Sequence, residues 1–207
     1  MKIDILFLDN DLSDHEEYFD NQTIKEYCET HSFEGEKNQI LSVPPSYSKS
    51  QNLTFLVGLG ENKVDNNFYD IGTLIGSKIK SDAEIKFLNF EDEKSLIIDG
   101  ILYVQYKFNN YKSEDDSSIN NITFKDIDSS VNEIKKDSVF WVRDLINTPA
   151  LDKSPEEFID KVKELVDSSD IDVEVYDKKW LEENDFGGVL GVGCLLYTSD
   201  AADEDLR

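Results

Sequence analysis

Leu53-Thr54-Phe55-Leu56-Val57-Gly58-Leu59-Gly60 is a compact apolar and β-branched run that ends in glycines, the pattern of a strand buried inside a sheet. Downstream, Phe68, Ile71, Leu74, Ile75 and Ile79 recur at the spacing of one helical face, so residues 67–80 are expected to form an amphipathic helix packed on that sheet. Residues 83–90 read as another strand, with Ile85, Phe87 and Leu88 inward. Residues 92–107 read as a second helix, with Leu96, Ile97, Gly100, Ile101, Val104 and Phe108 on or near one face. Acidic residues are expected in its first turn, where they suit the helix dipole. Strand, helix, strand, helix is the order of an α/β layer whose helices cover the sheet.

The flanks extend this plan. Met1-Lys2-Ile3-Asp4-Ile5-Leu6-Phe7-Leu8-Asp9 is an apolar stretch interrupted by Asp4, with no small-residue cleavage site; it reads as a first strand, not a signal peptide. Residues 18–28 are weakly helical or loop-like and are not placed. Residues 39–43 form a short strand ended by Pro44-Pro45, and residues 46–52 a polar connector. Ser113-Glu114-Asp115-Asp116-Ser117-Ser118 reads as a solvated loop, and residues 121–124 as a short edge strand. Val131, Ile134, Val139, Val142 and Ile146 mark a helix over residues 128–145 that links to a second unit.

In that second unit Ser154-Pro155-Glu156-Glu157 is a helix start with a mechanism. Ser154 can cap, Pro155 suits the first helical position, and Glu157 completes a capping box. Phe158, Val162, Leu165 and Val166 supply the stripe expected to be buried. Residues 171–176 alternate as a strand, residues 178–183 form a short helix, and Gly187-Gly188 breaks it before a turn or strand over residues 189–193.

Composition narrows the function. With 21 Lys and Arg against 45 Asp and Glu, a net charge of −24, the chain has no basic surface to displace counterions from a phosphate backbone; nucleic acid and anionic membrane are excluded as expected partners. The hydrophobic content of 39% argues for a folded chain with a heavily solvated surface rather than disorder. Cys28 and Cys194 lie far apart, with no CxxC or Cys/His cluster, which fits a reducing compartment and gives no structural zinc site. No run approaches membrane-spanning length. A cytoplasmic location is expected.

Several chemical patterns are weighed and set aside. Asp9, Asp11, Asp14, His15 and Glu16 can be drawn as a metal site, but the calcium-loop glycine and terminal Glu are misplaced. Residues 72–78 lack the Gly-Lys-Ser/Thr order of a phosphate loop and fall inside an expected helix. His31, Cys28, Trp141 and Trp180 read as packing or surface residues. Gly58-Leu59-Gly60, following a strand, is the place where a phosphate could approach, with a plain strand-end turn as the simpler reading.

Val142-Arg143-Asp144-Leu145-Ile146-Asn147-Thr148-Pro149-Ala150, Ser154-Pro155-Glu156-Glu157-Phe158 and Gly187-Gly188 through Gly191-Val192-Gly193 occur in this order. Together they resemble the start of the catalytic domain in the leucyl aminopeptidase family, the cytosolic two-metal exopeptidases. Phe55-Leu56-Val57-Gly58-Leu59-Gly60 and residues 100–112 look like that family's N-terminal domain. The resemblance covers most of residues 53–193 and is strongest from residue 142 onward.

The resemblance implies an α/β chain with a macro-domain-like N-terminal domain over residues 1–127 and a linker helix over 128–146. Residues 147–193 would be the truncated start of an α/β aminopeptidase catalytic domain. In the complete family enzyme two divalent ions, Mn or Zn, polarise the scissile carbonyl and supply hydroxide near neutral pH, peptides are the substrates, and the assembly is a homohexamer. The family's metal motifs follow the position of Gly193 and have no counterpart here. No residue of this chain is therefore assigned a catalytic, metal or cofactor-binding role, and the chain itself is expected to bind no metal, to be inactive and not to form the hexamer. Residues 194–204 look like an in-frame translation of a sequencing adapter, so residues 194–207 are expected to be an artefactual tail. The alternative reading is a noncatalytic, macro-like ligand-binding module, with its ligand at the glycine turn.

Overall fold

The computed structural model describes residues 1–12, 17–61, 67–90, 93–111, 119–149, 152–167 and 170–192. Asp14, His15 and Glu16, the loop over residues 113–118, Gly193 and the tail over residues 194–207 lie outside the described residues. The chain divides into two compact units, Met1–Trp141 and Val142–Arg207.

The first unit is built on a five-stranded sheet of order β2-β3-β1-β4-β5. Its strands are β1 (Lys2–Leu8), β2 (Ile40–Val43), β3 (Leu53–Gly58), β4 (Ala83–Phe87) and β5 (Ile122–Phe124). β1 lies at the centre, parallel to β3 with Ile5 opposite Phe55 and to β4 with Ile5 opposite Phe87. β5 continues the parallel set beside β4, and β2 closes the other edge antiparallel to β3. The apolar runs become inner strands because only there are both faces covered.

Alternation along the strands sorts their side chains into two cores. Ile3, Ile5, Phe7, Phe55, Val57 and Ile85 face α2 (Phe68–Lys78) and α3 (Lys94–Tyr103). Leu6, Leu8, Leu56 and Val43 face the other way, onto Phe19 and onto Ile24 and Cys28 of α1 (Asn21–Thr30). α1 occupies the stretch the sequence left unplaced. Leu88 belongs to this second face, the opposite side from Ile85 and Phe87, because it stands beyond the end of β4 at odd spacing from both.

α2 and α3 approach backbone to backbone. A Cβ on Gly72 would lie 2.1 Å from the Ile97 carbonyl oxygen, and one on Gly100 would lie 2.2 Å from that of Tyr69. That closeness leaves Ile97 through Leu102 buried in one continuous run. The expected acidic first turn of α3 is absent: the helix begins at Lys94, and Glu93 precedes it with φ 51° and no side-chain cap bond. Tertiary burial places this helix, and its start yields to that packing.

α4 (Ser130–Asn147) opens on Asp128, whose Oδ1 accepts the Ser130 amide at 3.0 Å; that hydrogen bond holds the Asp128 carboxyl below its ordinary range. Its packing reverses the expected stripe. Val131, Ile134, Val142 and Ile146 are exposed, whereas Asn132 and Phe140 are buried. Asn132 Nδ2 donates to Asp99 Oδ1 at 2.6 Å and to the Ser95 carbonyl at 2.9 Å, and Lys135 reaches Asp99 Oδ2 at 3.3 Å. A polar clamp on the buried Asp99, joined by the Tyr106–Phe140 ring contact at 5.2 Å, turns inward the face of α4 that carries Asn132 and Phe140 rather than the aliphatic side that periodicity alone assigns.

In the second unit α5 (Pro155–Val166) forms with its full capping box, and α6 (Lys178–Glu183) is capped by Asp177. Neither helix has a buried residue, so the stripe of α5 is not buried as expected: Phe158 and Leu165 are exposed. Residues 171–176 form no ladder, and Ile171, Val173 and Val175 are exposed; alternation makes a strand only where a neighbour takes its backbone hydrogen bonds. Residues 187–192 are helical rather than a turn or strand, with the Val189 and Leu190 amides both donating to the Phe186 carbonyl.

Candidate functional site

The glycine turn lies at the carboxyl end of the parallel strands, where open α/β sheets bind ligands. Phosphate capture there needs free backbone N–H groups. The amides of Gly58, Leu59 and Gly60 instead donate to the carbonyls of Gln39, Leu8 and Gly35 at 2.9, 2.8 and 2.9 Å. A Cβ on Gly58 would lie 2.1 Å from the Glu36 carbonyl oxygen, so these glycines serve close packing of the chain against residues 35–36. Beside them, Asn89 continues the ladder with its side chain, accepting from the Phe7 amide at 2.9 Å and donating to the Phe7 carbonyl at 2.7 Å. Phe90 packs on Phe7 at 4.6 Å and on Phe68 at 5.3 Å. The ligand-binding module reading loses its site, because the donors it requires are already used.

Residues 72–78 lie within α2, which removes the phosphate-loop reading. Of the acidic loop, Asp9 forms a turn in which its carbonyl accepts the Leu12 amide at 3.0 Å; Asp14, His15 and Glu16 are outside the described residues. Among the described residues no group of three or more His, Cys, Asp or Glu could hold a metal ion. The two-metal centre of the resembling family therefore does not fit the residues described, and no chemical step is routed through it here. His31 is engaged by Tyr27, with its ring stacked at 4.1 Å and Nδ1 2.8 Å from the Tyr27 carbonyl. Cys28 is buried, and burial pushes its thiol up to about 11, so it is a packing residue rather than a nucleophile.

The junction is defined by how α4 ends. Thr148 turns back on the helix, its amide and hydroxyl both donating to the Asp144 carbonyl at 2.9 and 2.7 Å. Lys153 donates to the Leu145 carbonyl at 2.7 Å, placing a positive charge where the helix dipole is negative. The chain then enters α5 through Ser154 and Pro155. Between these turns lies an open groove of about 430 Å³ lined by Val142, Leu145, Ile146, Pro155 and Phe158, with Lys153 and Ser154 at its edge. Its lining can grip an apolar group but offers no carboxylate or imidazole for acid–base work.

Two buried carboxylates went unassigned in the sequence. Asp99 is the clamp beneath α4, and nothing in its local pattern separates it from a surface acid. Asp4 is buried in the central strand, and its signal is visible: a single charge inside an otherwise apolar run.

Comparison with known proteins bears on residues from both units. Residues 140–194 match the model of the cytosol aminopeptidase family, catalytic domain. A probable cytosol aminopeptidase of Rhodococcus opacus is 47% identical over 57 residues, covering 28% of this chain and 11% of the relative. One from Tropheryma whipplei is 29% identical over 173 residues, covering 77% of this chain and 34% of the relative. By fold, the crystal structure of the cytosol aminopeptidase from Coxiella burnetii matches with a TM-score of 0.66 at 24% identity, over 88% of this chain and 39% of that one. The bottromycin maturation enzyme BotP in complex with Mn matches with a TM-score of 0.64 at 14% identity, over 88% of this chain and 39% of that one. The chain thus spans about a tenth to a third of the length of these curated relatives. Family model, curated relatives and fold agree, and what this chain is similar to is the cytosol aminopeptidase family.

Proposed function

We propose that this chain is the N-terminal part of a metallo-aminopeptidase that releases N-terminal residues, leucine among them, from peptides in the cytoplasm. The observation that supports the reading best is the alignment over 173 residues with one cytosol aminopeptidase, together with the catalytic-domain match over residues 140–194. Within it, residues 1–127 are the accessory, macro-like domain, residues 128–146 the linker helix, and residues 147–193 the start of the catalytic domain. The complete enzyme would hold two divalent ions, Mn or Zn, in residues other than those described here, and would assemble as a homohexamer. The metals would polarise the scissile carbonyl and supply hydroxide. The described residues would contribute the entry to that domain: Thr148 and Lys153 close the end of α4, and the chain then enters the capped start of α5.

The chain by itself is proposed to be inactive, since its described residues offer no metal-holding group. The test is hydrolysis of leucine p-nitroanilide with Mn²⁺ or Zn²⁺ by this chain and by the longest product of its gene, alongside calorimetric titration of each with Mn²⁺. Activity and metal uptake in the longer product alone support the reading. Inactivity of both, or saturable Mn²⁺ uptake with hydrolysis by the 207-residue chain, would overturn it.

A further inference from the structure

On the face of the sheet opposite α2 and α3, a cavity of about 250 Å³ opens between the segment that carries Ser48, Ser50 and Asn52 and the outer strands β4 and β5. Asp4 lines it from the central strand, with only 3% of its surface exposed. Its Oδ2 accepts from Ser50 Oγ at 2.5 Å and from Asn52 Nδ2 at 3.2 Å. Among the described residues its Oδ1 takes no hydrogen bond. A buried carboxylate with one oxygen unanswered carries a desolvation cost that a cationic donor relieves.

The opposite charge is close by. Lys86 stands opposite Asp4 in the β1–β4 register, and Lys125 follows β5, its amide donating to the Ile85 carbonyl at 2.8 Å. Both line the cavity, and among the described residues neither side chain has a hydrogen bond or ion pair. Lys49 joins them at the rim, where it reaches the Glu17 carbonyl at 3.2 Å. In a chain with 21 basic and 45 acidic residues, three lysines around one cavity depart from the surface average.

This charge arrangement discriminates between ligand classes. A divalent cation would meet three ammonium groups against the two acidic residues of the lining, Asp4 and the exposed Glu17, the wrong field for it. A phosphate or simple carboxylate would suit the lysines but face Asp4 on the cavity floor. A zwitterion satisfies both ends: its ammonium donates to Asp4 Oδ1 while its carboxylate meets Lys86 and Lys125. The volume lies below the roughly 300 Å³ at which pockets begin to hold drug-sized molecules, and so suits a single amino acid. The Tyr18 ring, fixed by its hydroxyl donating to the Leu88 carbonyl at 3.0 Å, and Leu88 itself supply the apolar contact for a side chain.

We propose that this cavity is a binding site for a free α-amino acid, held by Asp4 at its ammonium and by Lys86 and Lys125 at its carboxylate. The proposal concerns the first unit alone and stands independently of the peptidase reading.

The test is a titration of the ¹⁵N-labelled 207-residue chain with glycine, L-alanine and L-leucine, using ethylamine and propionate as probes that each lack one charge of alanine. Saturable shifts at the amides of Asp4, Ser50, Asn52 and Lys86, with a Kd on the order of 1 mM, are expected for an amino acid. Each single-charge probe should bind about tenfold more weakly, as should alanine to Asp4→Asn, since each loss removes a charge-assisted contact. Lys86→Ala with Lys125→Ala changes only exposed positions, so it keeps the test decisive if Asp4→Asn does not fold. In that variant alanine should weaken about tenfold while ethylamine is unchanged. Absence of saturable shifts with any of the three amino acids, equal binding of propionate or ethylamine and alanine, or indifference to the lysine pair would overturn the proposal.

Discussion

Helices in the two units rest on different foundations. In the first, α2 is preceded by Asn67 and α3 by Glu93, and neither of these cap positions makes a side-chain cap bond; Glu93 even adopts φ 51°. Both helices are nonetheless deeply buried, with Ile71, Ile75, Ile97 and Ile101 at 1% exposure or less. In the second, α5 has a complete capping box with proline at its start, and α6 has Asp177 bonded to the Trp180 amide at 2.8 Å, yet no residue of either is buried. A cap contributes about 1 kcal/mol, whereas a fully buried aliphatic side chain contributes about 1.5–3 kcal/mol. The first unit can dispense with local signals because burial outweighs them. The second has strong local signals and little packing to add to them, so its helices stand near the limit for short isolated segments.

The sharpest way to break this comparison is a cavity in the first core. Ile85→Ala, at a fully buried site between Ile3 and Phe124 in register, should cost about 2–5 kcal/mol in urea unfolding; a loss below about 1 kcal/mol would mean that burial does not carry this unit. Next comes Gly100→Ala, whose Cβ meets backbone rather than a movable side chain. It should destabilise by about 1–3 kcal/mol through separation of α2 from α3, although alanine is intrinsically the better helix former. A stabilised variant would show that the two helices can part freely.

Cys28 sharpens the contrast by pH. Its thiol is raised from 9.0 to about 11 in the folded chain, so above pH 9 the unfolded state loses its proton first. The contribution is fully present below about pH 9 and is lost as pH rises toward about 11. The alkaline slope of first-unit stability should be shallower in Cys28→Ala, measured by denaturant midpoints over that range. Smallest of all, Ser154→Ala should remove about 1 kcal/mol from α5, read as lost amide protection over residues 155–166, while the first unit's unfolding midpoint stays unchanged.

How far the chain could be read before its structure follows the same division. The capping box at Ser154 is legible because its partners are three residues apart, and the bonds Glu157 amide to Ser154 Oγ at 3.2 Å and Ser154 amide to Glu157 Oε2 at 3.1 Å form as expected. β1, β3 and β4 are legible because their apolar runs need cover on both faces. The exposed stripe of α4 was not, since the group that turns the helix is Asp99, distant in sequence and identical in local pattern to a solvated acid. Residues 171–176 look like a strand by alternation, but a ladder needs a neighbour that alternation cannot supply. For the site, the order of motifs around residues 142–193 carried the family resemblance. That the glycine turn is closed could not be read, because its amides are taken by the carbonyls of Leu8, Gly35 and Gln39, residues remote along the chain.

By itself the amino-acid sequence determined the five strands and the helices α2 to α6, the α/β class, the acidic composition and the likeness to aminopeptidases, all of which depend on nearby residues or on ordered motifs, whereas it misread residues 171–176 and 187–192 and left α1 unplaced. Only the tertiary structure decided that β1 is the central strand, that α3 is buried nearly all round against glycines of α2, that Asn132 and not Val131 faces inward, and that Asp4 lies beneath a lysine-rimmed cavity. Those outcomes turn on backbone hydrogen bonds and burial between residues far apart in the chain, and their free energies exceed the local preferences that a one-dimensional reading can sum.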